Sequence, residues 1–139
     1  MSNDSTTTVV AILCKNMRVL ACSDADNTDN AVWELPVTFL KVDEDPSDAC
    51  KRLAKDTLGC LLSTAWLLHT QRCEEDGQSI AMECYVCAPL PDEEPRAQTK
   101  ALRWLRREDL TQVKWAAKHE ELVRMVGTYW DQLFQAEHL

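Results

Sequence analysis

The chain has 139 residues, 45% hydrophobic and 27% charged, a balance typical of one globular domain that buries its own core. Its formal net charge of -8 argues against a broad nucleic-acid footprint, because neutralising phosphates requires clustered Lys and Arg. The opening MSNDSTTT is unlike a signal peptide, and no apolar run approaches the roughly 20 residues of a membrane span. We therefore expect a cytoplasmic protein with neither nucleic acid nor membrane as a partner.

The first part of the chain predicts strands. TTVVAILC (residues 7–14) and MRVLAC (17–22) are typical of two strands around a short turn. An acidic loop rich in turn formers follows over residues 23–30. Residues 31–42 are then expected to be extended, with an interruption at Pro36.

A helix is predicted between Asp45 and Gly59. Asp is a good N-cap, Pro46 suits the first helical position, and Gly is a common stop. Between these ends, residues recur at helical spacing and form an apolar side. They are Cys50, Leu53, Ala54, Thr57 and Leu58.

The second part of the chain predicts a hairpin, a short strand and a last helix. Residues 60–73 and 79–88 are two long strands joined around EEDGQ, and residues 89–99 form a Pro-rich acidic loop. KALRWL is a short strand, REDLTQV a helical turn and KHEELVRMVGTYWDQLF the last helix. The apolar stripe of that helix is Leu122, Met125, Val126, Tyr129, Leu133 and Phe134. Strands and helices in this order indicate an α/β fold (an α+β mixed sheet) in which helices cover the sheet.

The seven cysteines are expected to be reduced core residues, because most lie among apolar neighbours. Cys84 and Cys87 form the only C-x-x-C, and a strand would point them to opposite faces. No second pair follows at zinc-site spacing, so we expect neither a metal site nor a redox pair there.

The segment WELPVTFLKVDEDPSDACKRLAKDTLGC resembles the signature region of the Nudix hydrolases, Gly-x5-Glu-x7-Arg-Glu-U-x-Glu-Glu-x-Gly-U, in which U is apolar. In this alignment the box positions before the closing Cys60 are Thr38, Glu44, Arg52, Leu53, Ala54, Asp56, Thr57 and Gly59. WELP itself resembles the W/F-E-x-P-G-G segment that leads into the family's box, with Val37 and Thr38 in place of the glycines. The box is therefore degenerate.

The resemblance extends over nearly the whole chain, from Thr8 to about Trp130. LRWLRREDLTQVKWAAKHEELVRMV resembles the end of MutT-like members, in which a Trp strand and a turn precede the last helix. The resemblance implies a Nudix-type α/β/α sandwich. We expect a flexible N-terminus over residues 1–7 and a single Nudix-like domain over residues 8–136.

Hydrolysis of a phosphoanhydride, the reaction that the resemblance implies, needs Mg²⁺ or Mn²⁺ and a base that activates water. Helical positions 53, 56 and 57 have the i, i+3, i+4 spacing that places three side chains on one face. Leu53, at the candidate base position, neither binds metal nor accepts a proton. Thr57 is a weak neutral ligand, and Asp56 keeps its charge on a shorter side chain than Glu.

Glu44, Arg52 and Gly59 match the family pattern. The resemblance implies that Arg52 orients carboxylates and holds the box together, so a structural role is the favoured interpretation for Arg52 and Gly59. If a metal binds, Asp56 and Glu44 are the candidate ligands.

Two further places bear on the ligand. An additional family carboxylate corresponds to Gln98, which is neutral, with Glu93 or Glu94 as substitutes. His119 falls in the loop where MutT-like proteins contact the base, so it is a candidate substrate-binding residue together with Glu34. The favoured alternative for His119 is an exposed residue near the start of the last helix.

We therefore expect a Nudix-family protein resembling MutT-like nucleoside triphosphate pyrophosphohydrolases, with metal-dependent hydrolysis weak or lost. One alternative is an active hydrolase of a nucleoside diphosphate derivative that uses Asp56, Glu44 and Glu34 as non-standard ligands. Another is a non-catalytic module that binds a nucleotide or a protein. The resemblance also implies a nucleotide-derivative ligand and a homodimer.

Overall fold

The computed structural model describes residues 7–24, 32–97 and 101–134. The N-terminus expected to be flexible lies outside these ranges except for Thr7, as do Gln98 and most of the acidic loop over residues 23–30. The main elements are β1 (Thr7–Lys15), β2 (Arg18–Ser23), β3 (Val37–Phe39), α1 (Pro46–Leu58), β4 (Leu62–Glu75), β5 (Gln78–Pro89), β6 (Ala101–Leu105), α2 (Glu120–Thr128) and α3 (Trp130–Leu133). Two short 3-10 helices span Arg107–Thr111 and Ala117–His119.

The strands form one mixed six-stranded sheet in the order β4-β5-β1-β2-β6, with β3 paired to β1. β1 and β5 are parallel, whereas the other pairs are antiparallel. Along its other edge, β1 is shared between two neighbours: residues 8–10 pair with β3, and Cys14 and Lys15 pair with β2. This division places β3, which follows WELP, beside the start of β1.

Alternate residues of β1 point into two separate cores. One set packs with α2 and α3, and the other packs with α1. The first set is Val10, Ile12 and Cys14, and the second is Val9, Ala11 and Leu13. Helices therefore cover both faces of the sheet, which confirms the predicted α/β/α sandwich.

Helix α1 begins and ends where the sequence predicts. The Asp45 carboxylate accepts hydrogen bonds from the Ser47 N–H and hydroxyl, both at 2.9 Å, and Pro46 is the first helical residue. Gly59 ends the helix in the left-handed conformation, at φ 61°. A Cβ there would lie 3.0 Å from the Arg96 carbonyl oxygen, so the close approach of that loop also requires glycine.

The last helix differs from the prediction, because it breaks at Tyr129 and restarts as α3. Tyr129 has non-helical backbone angles (φ -99°, ψ 22°) and is 42% exposed, so its place in the predicted apolar stripe is wrong. Trp130 is buried instead and packs against Phe134, with ring centroids 5.1 Å apart. Gly127 and the β-branched Thr128 are poor helix formers, which explains a break at this point.

Two smaller expectations concern the cysteines and membrane spans. Six cysteine side chains are described, and all six are buried and reduced. Cys84 and Cys87 belong to opposite cores, as predicted for a strand. Over the described ranges, the helices are all too short or too polar to cross a bilayer.

Candidate functional site

Arg52 joins α1 to the loop that follows β3. Its Nε donates to Glu44 Oε2 at 2.9 Å and its Nη2 donates to Glu44 Oε1 at 3.0 Å. The guanidinium also donates to the Thr38 hydroxyl and to the Phe39 carbonyl. These bonds hold the pKa of Glu44 down at about 2, helped by the Lys41 N–H, which donates to Oε1. Both oxygens of Glu44 are thus occupied by protein donors.

Two other box positions, Leu53 and Thr57, line a small cavity rather than an open cleft. This box cavity has a volume of about 30 Å³ and is lined by Cys22, Glu34, Leu35, Pro36, Val37, Leu53, Thr57 and Leu58. Leu53 is only 4% exposed and packs in the α1 core, which confirms that it extends the apolar side of the helix. Asp56 is exposed on the same helix and does not line this cavity. Typical small-molecule sites are about ten times larger.

The two acidic residues suggested as substitutes for Gln98 have structural partners. Glu93 Oε1 accepts from the Leu61 N–H at 2.9 Å, just after α1. Glu94 forms an ion pair with Lys15 at 3.2 Å and accepts a hydrogen bond from the Trp104 indole. These bonds lower the pKa of Glu94, Lys15 being the largest cause. Neither residue lines the box cavity.

The WELP segment, Trp33–Pro36, connects the sheet to the loop before α2. The Trp33 N–H donates to the Lys114 carbonyl, and its own carbonyl accepts from the Ala116 N–H. On the other side, Glu34 exchanges two backbone hydrogen bonds with Cys22. Residues far apart in sequence are therefore fixed against one short extended segment.

His119 is held by the same segment. Its Nδ1 accepts a hydrogen bond from the Leu35 N–H at 3.0 Å, and the side chain is 0% exposed. The expectation of an exposed residue was wrong, because the short 3-10 helix over 117–119 turns the imidazole inward against Leu35. Burial and, to a lesser degree, the nearby charge of Lys118 lower the pKa of His119 to about 4.

The hydrogen bond from Leu35 fixes the tautomer of His119. A backbone N–H can only donate, so Nδ1 is unprotonated and the proton of the neutral ring lies on Nε2. No hydrogen-bond partner for this buried Nε2 exists among the residues that the structure describes. Unpaired buried donors are uncommon and costly, which makes this atom a candidate ligand contact.

His119 lines a larger cavity of about 300 Å³, here called the His119 pocket. It lies between β1, β3, β5 and the loop before α2. Its lining is Thr8, Val37, Thr38, Phe39, Ile80, Met82, Lys118 and His119. The volume falls at the lower end of the range for small-molecule sites.

Glu34, the other predicted substrate-binding residue, lies between the two cavities. Its side chain lines the box cavity, and its Oε2 is 3.8 Å from the Lys118 Nζ. Lys118 in turn lines the His119 pocket. Glu34 is therefore a neighbour of the pocket through Lys118 rather than part of its lining.

Some of the predicted residues meet at one of the two cavities, whereas Glu44, Arg52, Asp56 and Gly59 line neither. Glu34, Leu53 and Thr57 meet at the box cavity, whereas Thr38 and His119 meet at the His119 pocket. Over residues 7–24, 32–97 and 101–134, no three His, Cys, Asp or Glu side chains are grouped closely enough to hold a metal ion.

Sequence reasoning missed most of the pocket lining. Ile80 and Met82 of β5 face the pocket because they alternate along a strand, and they share that face with Cys84 of the core. The alternation was readable in SIAMECYVCA, but the sequence does not show that Phe39 and Met82 both pair with Thr8, in one row across the sheet.

Comparisons with known proteins agree with this architecture. The sequence matches the model of the NUDIX domain over residues 4–126. Among curated proteins none matches it. The fold is similar to that of the Escherichia coli ORF135 protein, with 22% identity, 90% of each chain covered and a TM-score of 0.74.

Two further solved structures are similar in fold. One is the MutT NUDIX hydrolase from Burkholderia pseudomallei, with 21% identity, 89% of this chain and 99% of that chain covered, and a TM-score of 0.70. The other is the NUDIX domain of Shewanella oneidensis NrtR in complex with ADP ribose, with 18% identity, 90% and 88% covered, and a TM-score of 0.70. At these identities the likeness concerns the fold alone.

Proposed function

The chain belongs to the Nudix family, and we propose that it binds a nucleotide derivative in the His119 pocket while metal-dependent hydrolysis at the box is weak or absent. The observation that carries this proposal is Leu53. A buried alkyl group, 4% exposed, occupies the position at which hydrolysis needs a carboxylate.

The donors around the box do not fit a catalytic magnesium ion. Mg²⁺ requires oxygen ligands in octahedral geometry, usually including at least one carboxylate aimed at the ion. Here Leu53 offers no oxygen, Thr57 offers a neutral hydroxyl, and both oxygens of Glu44 accept from Arg52. Asp56 keeps its carboxylate but is exposed outside the box cavity. We therefore assign no hydrolytic step to this arrangement.

The His119 pocket suits a flat heterocycle. Val37, Ile80 and Met82 give it apolar walls, and thioether sulfurs make favourable contacts with aromatic rings. His119 closes the back of the pocket, and because its Nε2 is buried, this N–H would donate to a ring nitrogen or a carbonyl oxygen only after the ligand displaces the side chains that cover it. A pocket with apolar walls and one fixed polar group is a common arrangement for binding small molecules.

The edge of the pocket offers further contacts. Phe39 is 66% exposed and lines the pocket, so its ring can stack on a bound heterocycle. Lys118 supplies a positive charge there, partly offset by Glu34 at 3.8 Å. A ligand with both a heterocycle and phosphates would use both contacts. ADP-ribose, present in the NrtR complex, is the first compound to test.

Binding can be measured by calorimetry with ADP-ribose, nucleoside diphosphates and nucleoside triphosphates, in EDTA so that no metal contributes. Ile80→Trp would fill the pocket from β5, and Leu67→Trp on exposed β4 is the matched control. We expect at least one compound to bind, with affinity about tenfold lower in Ile80→Trp and unchanged in Leu67→Trp. Equal affinity in both variants, or no binding by any compound, would contradict the proposal.

Three other properties stay predictions: one domain over residues 8–136, a homodimer and a cytoplasmic location. Sedimentation velocity at several protein concentrations measures the oligomeric state directly. A sedimentation coefficient that stays at the monomer value at every concentration would contradict the homodimer.

A further inference from the structure

A separate cavity of about 390 Å³ lies between α2 and the short 3-10 helix Arg107–Thr111. It shares no lining residue with the box cavity or the His119 pocket. Leu110, Trp115 and Val123 form its floor, and each is less than 9% exposed. The Trp115 indole is fixed by a hydrogen bond of 2.8 Å to the Leu110 carbonyl, so the aromatic part of the floor is held in place.

Two arginines stand at the rim of this cavity. Arg107 and Arg124 are exposed, and within the described residues neither guanidinium has a hydrogen bond or an ion pair. Glu120 also lies at the rim, farther than ion-pair distance from both. Arg106, which precedes Arg107, instead pairs with Glu108 and Asp109. With two arginines and one glutamate, the rim carries a net positive charge, which favours an anion.

Gly127 keeps the cavity open on the side of α2. Glycine lowers helix stability relative to alanine, and here neither crowding nor a positive φ requires it. A Cβ at Gly127 would meet only Leu110 Cδ1, at 3.8 Å, which is ordinary van der Waals contact. A larger side chain at this position would project into the space that the floor and the arginines enclose.

We propose that this cavity is a second binding site, for a small amphipathic anion with a flat apolar body and a carboxylate. The body would lie on Trp115 and Val123, and the carboxylate would bind the guanidinium groups of Arg107 and Arg124. Arginine is suited to this role, because its planar donors match the two oxygens of a carboxylate. The site is independent of the proposed function, and its test needs neither nucleotide nor metal.

The probe is 1-naphthoate, and the uncharged 1-naphthalenemethanol is its matched control. We expect ¹H–¹⁵N NMR shifts at the Gly127 amide and the Trp115 indole, and affinity for the acid about tenfold higher than for the alcohol. Arg107→Gln and Arg124→Gln should each reduce this preference, whereas Lys114→Gln, an exposed cation outside the cavity, should leave it unchanged.

Gly127→Leu is the blocking variant, and it should abolish the naphthoate shifts while keeping a folded spectrum. If it does not fold, the two arginine variants provide the test, because neither changes the floor of the cavity and each should weaken naphthoate binding. Equal affinity for acid and alcohol, or naphthoate binding unchanged by these variants, would overturn the proposal. So would shifts that map to Ile80 and Met82 instead, or shifts at Gly127 that rise with protein concentration alone, which would indicate a second copy of the chain.

Discussion

Arg52 binds both carboxylate oxygens of Glu44, at 2.9 Å and 3.0 Å, across the loop between β3 and α1. The remaining donors of Arg52 bind Thr38 and the Phe39 carbonyl. The contacts that shape this loop are thus present, whereas Leu53 and Thr57 stand where the resemblance implies carboxylates. Retained geometry and retained chemistry are separate properties in this chain, and the predictions below test them separately.

Arg52→Lys should lower the thermal unfolding midpoint, although the positive charge is kept. A lysine has no planar fork, so it cannot bind both oxygens of Glu44 and also reach Thr38 and Phe39. Thermal unfolding by circular dichroism measures the effect, with Lys51→Arg on the same helix as the control. Once Arg52 is replaced, Glu44→Gln should lower the unfolding midpoint little further, because the two side chains bind each other. If the decreases in the unfolding midpoint of the two single variants add fully in the double variant, this coupling is contradicted.

His119 should make stability depend on pH between about 6.5 and 4. Its pKa is lowered from 6.5 to about 4 in the folded chain, so the unfolded chain takes up the proton first as the pH falls. The stabilisation is complete above pH 6.5 and is lost on acidification, by about 3 kcal/mol in all. Urea unfolding at half-unit pH steps measures it.

His119→Gln provides the comparison. Between pH 6.5 and 4.5 its stability should change less than that of the parent chain. Glu44, whose pKa is about 2, affects both proteins only at lower pH, because its stabilisation is lost below 4.5. If the free energy of unfolding changes with pH in the same way in both proteins, His119 has an ordinary pKa and is not buried as described.

Two glycines should respond to alanine in opposite ways. Gly59→Ala should lower the free energy of unfolding by about 1–2 kcal/mol, because Gly59 is left-handed. Its Cβ would also lie 3.0 Å from the Arg96 carbonyl. Gly127→Ala should raise the free energy of unfolding by about 0.5–1 kcal/mol, because alanine favours the helix more than glycine does and its Cβ meets no clash. Chemical denaturation of both variants measures these changes. A change of the same sign in both variants would contradict the different roles given to the two glycines.

Local signals in the sequence predicted much of the fold. Asp45, Pro46 and Gly59 delimit α1 through chemistry that involves adjacent residues only. The apolar run TTVVAILC before a short turn predicted β1 as a strand. The break at Tyr129 was not predicted, because the regular apolar stripe suggested a continuous helix through the weak helix formers Gly127 and Thr128.

The candidate site was less predictable than the fold. The resemblance located the box and the loop that contains His119, but Leu35 and His119 are 84 residues apart and no local pattern joins them. The closure of the box cavity depends on how Val37 and Leu53 pack across two elements. Such long-range contacts leave no periodic pattern of residues in the sequence, and so the pocket lining was not predicted.

Leu53→Glu together with Thr57→Glu should create metal affinity. Leu53→Glu alone places a carboxylate in a nearly closed cavity and should cost about 3 kcal/mol of stability. With Asp56 beside the two new side chains, added Mn²⁺ should raise the unfolding midpoint of the double variant and leave the parent chain unchanged. If Mn²⁺ has no effect on the variant, the Val37–Thr38 strand closes the site independently of the missing carboxylates.

The most direct test of the central claim is phosphate and pyrophosphate release from nucleoside triphosphates, nucleotide sugars and ADP-ribose, in excess Mg²⁺ or Mn²⁺. We expect weak or no turnover by folded protein, even with compounds that bind in the His119 pocket. Turnover that Asp56→Ala abolishes would contradict the account and show that the box is altered but active.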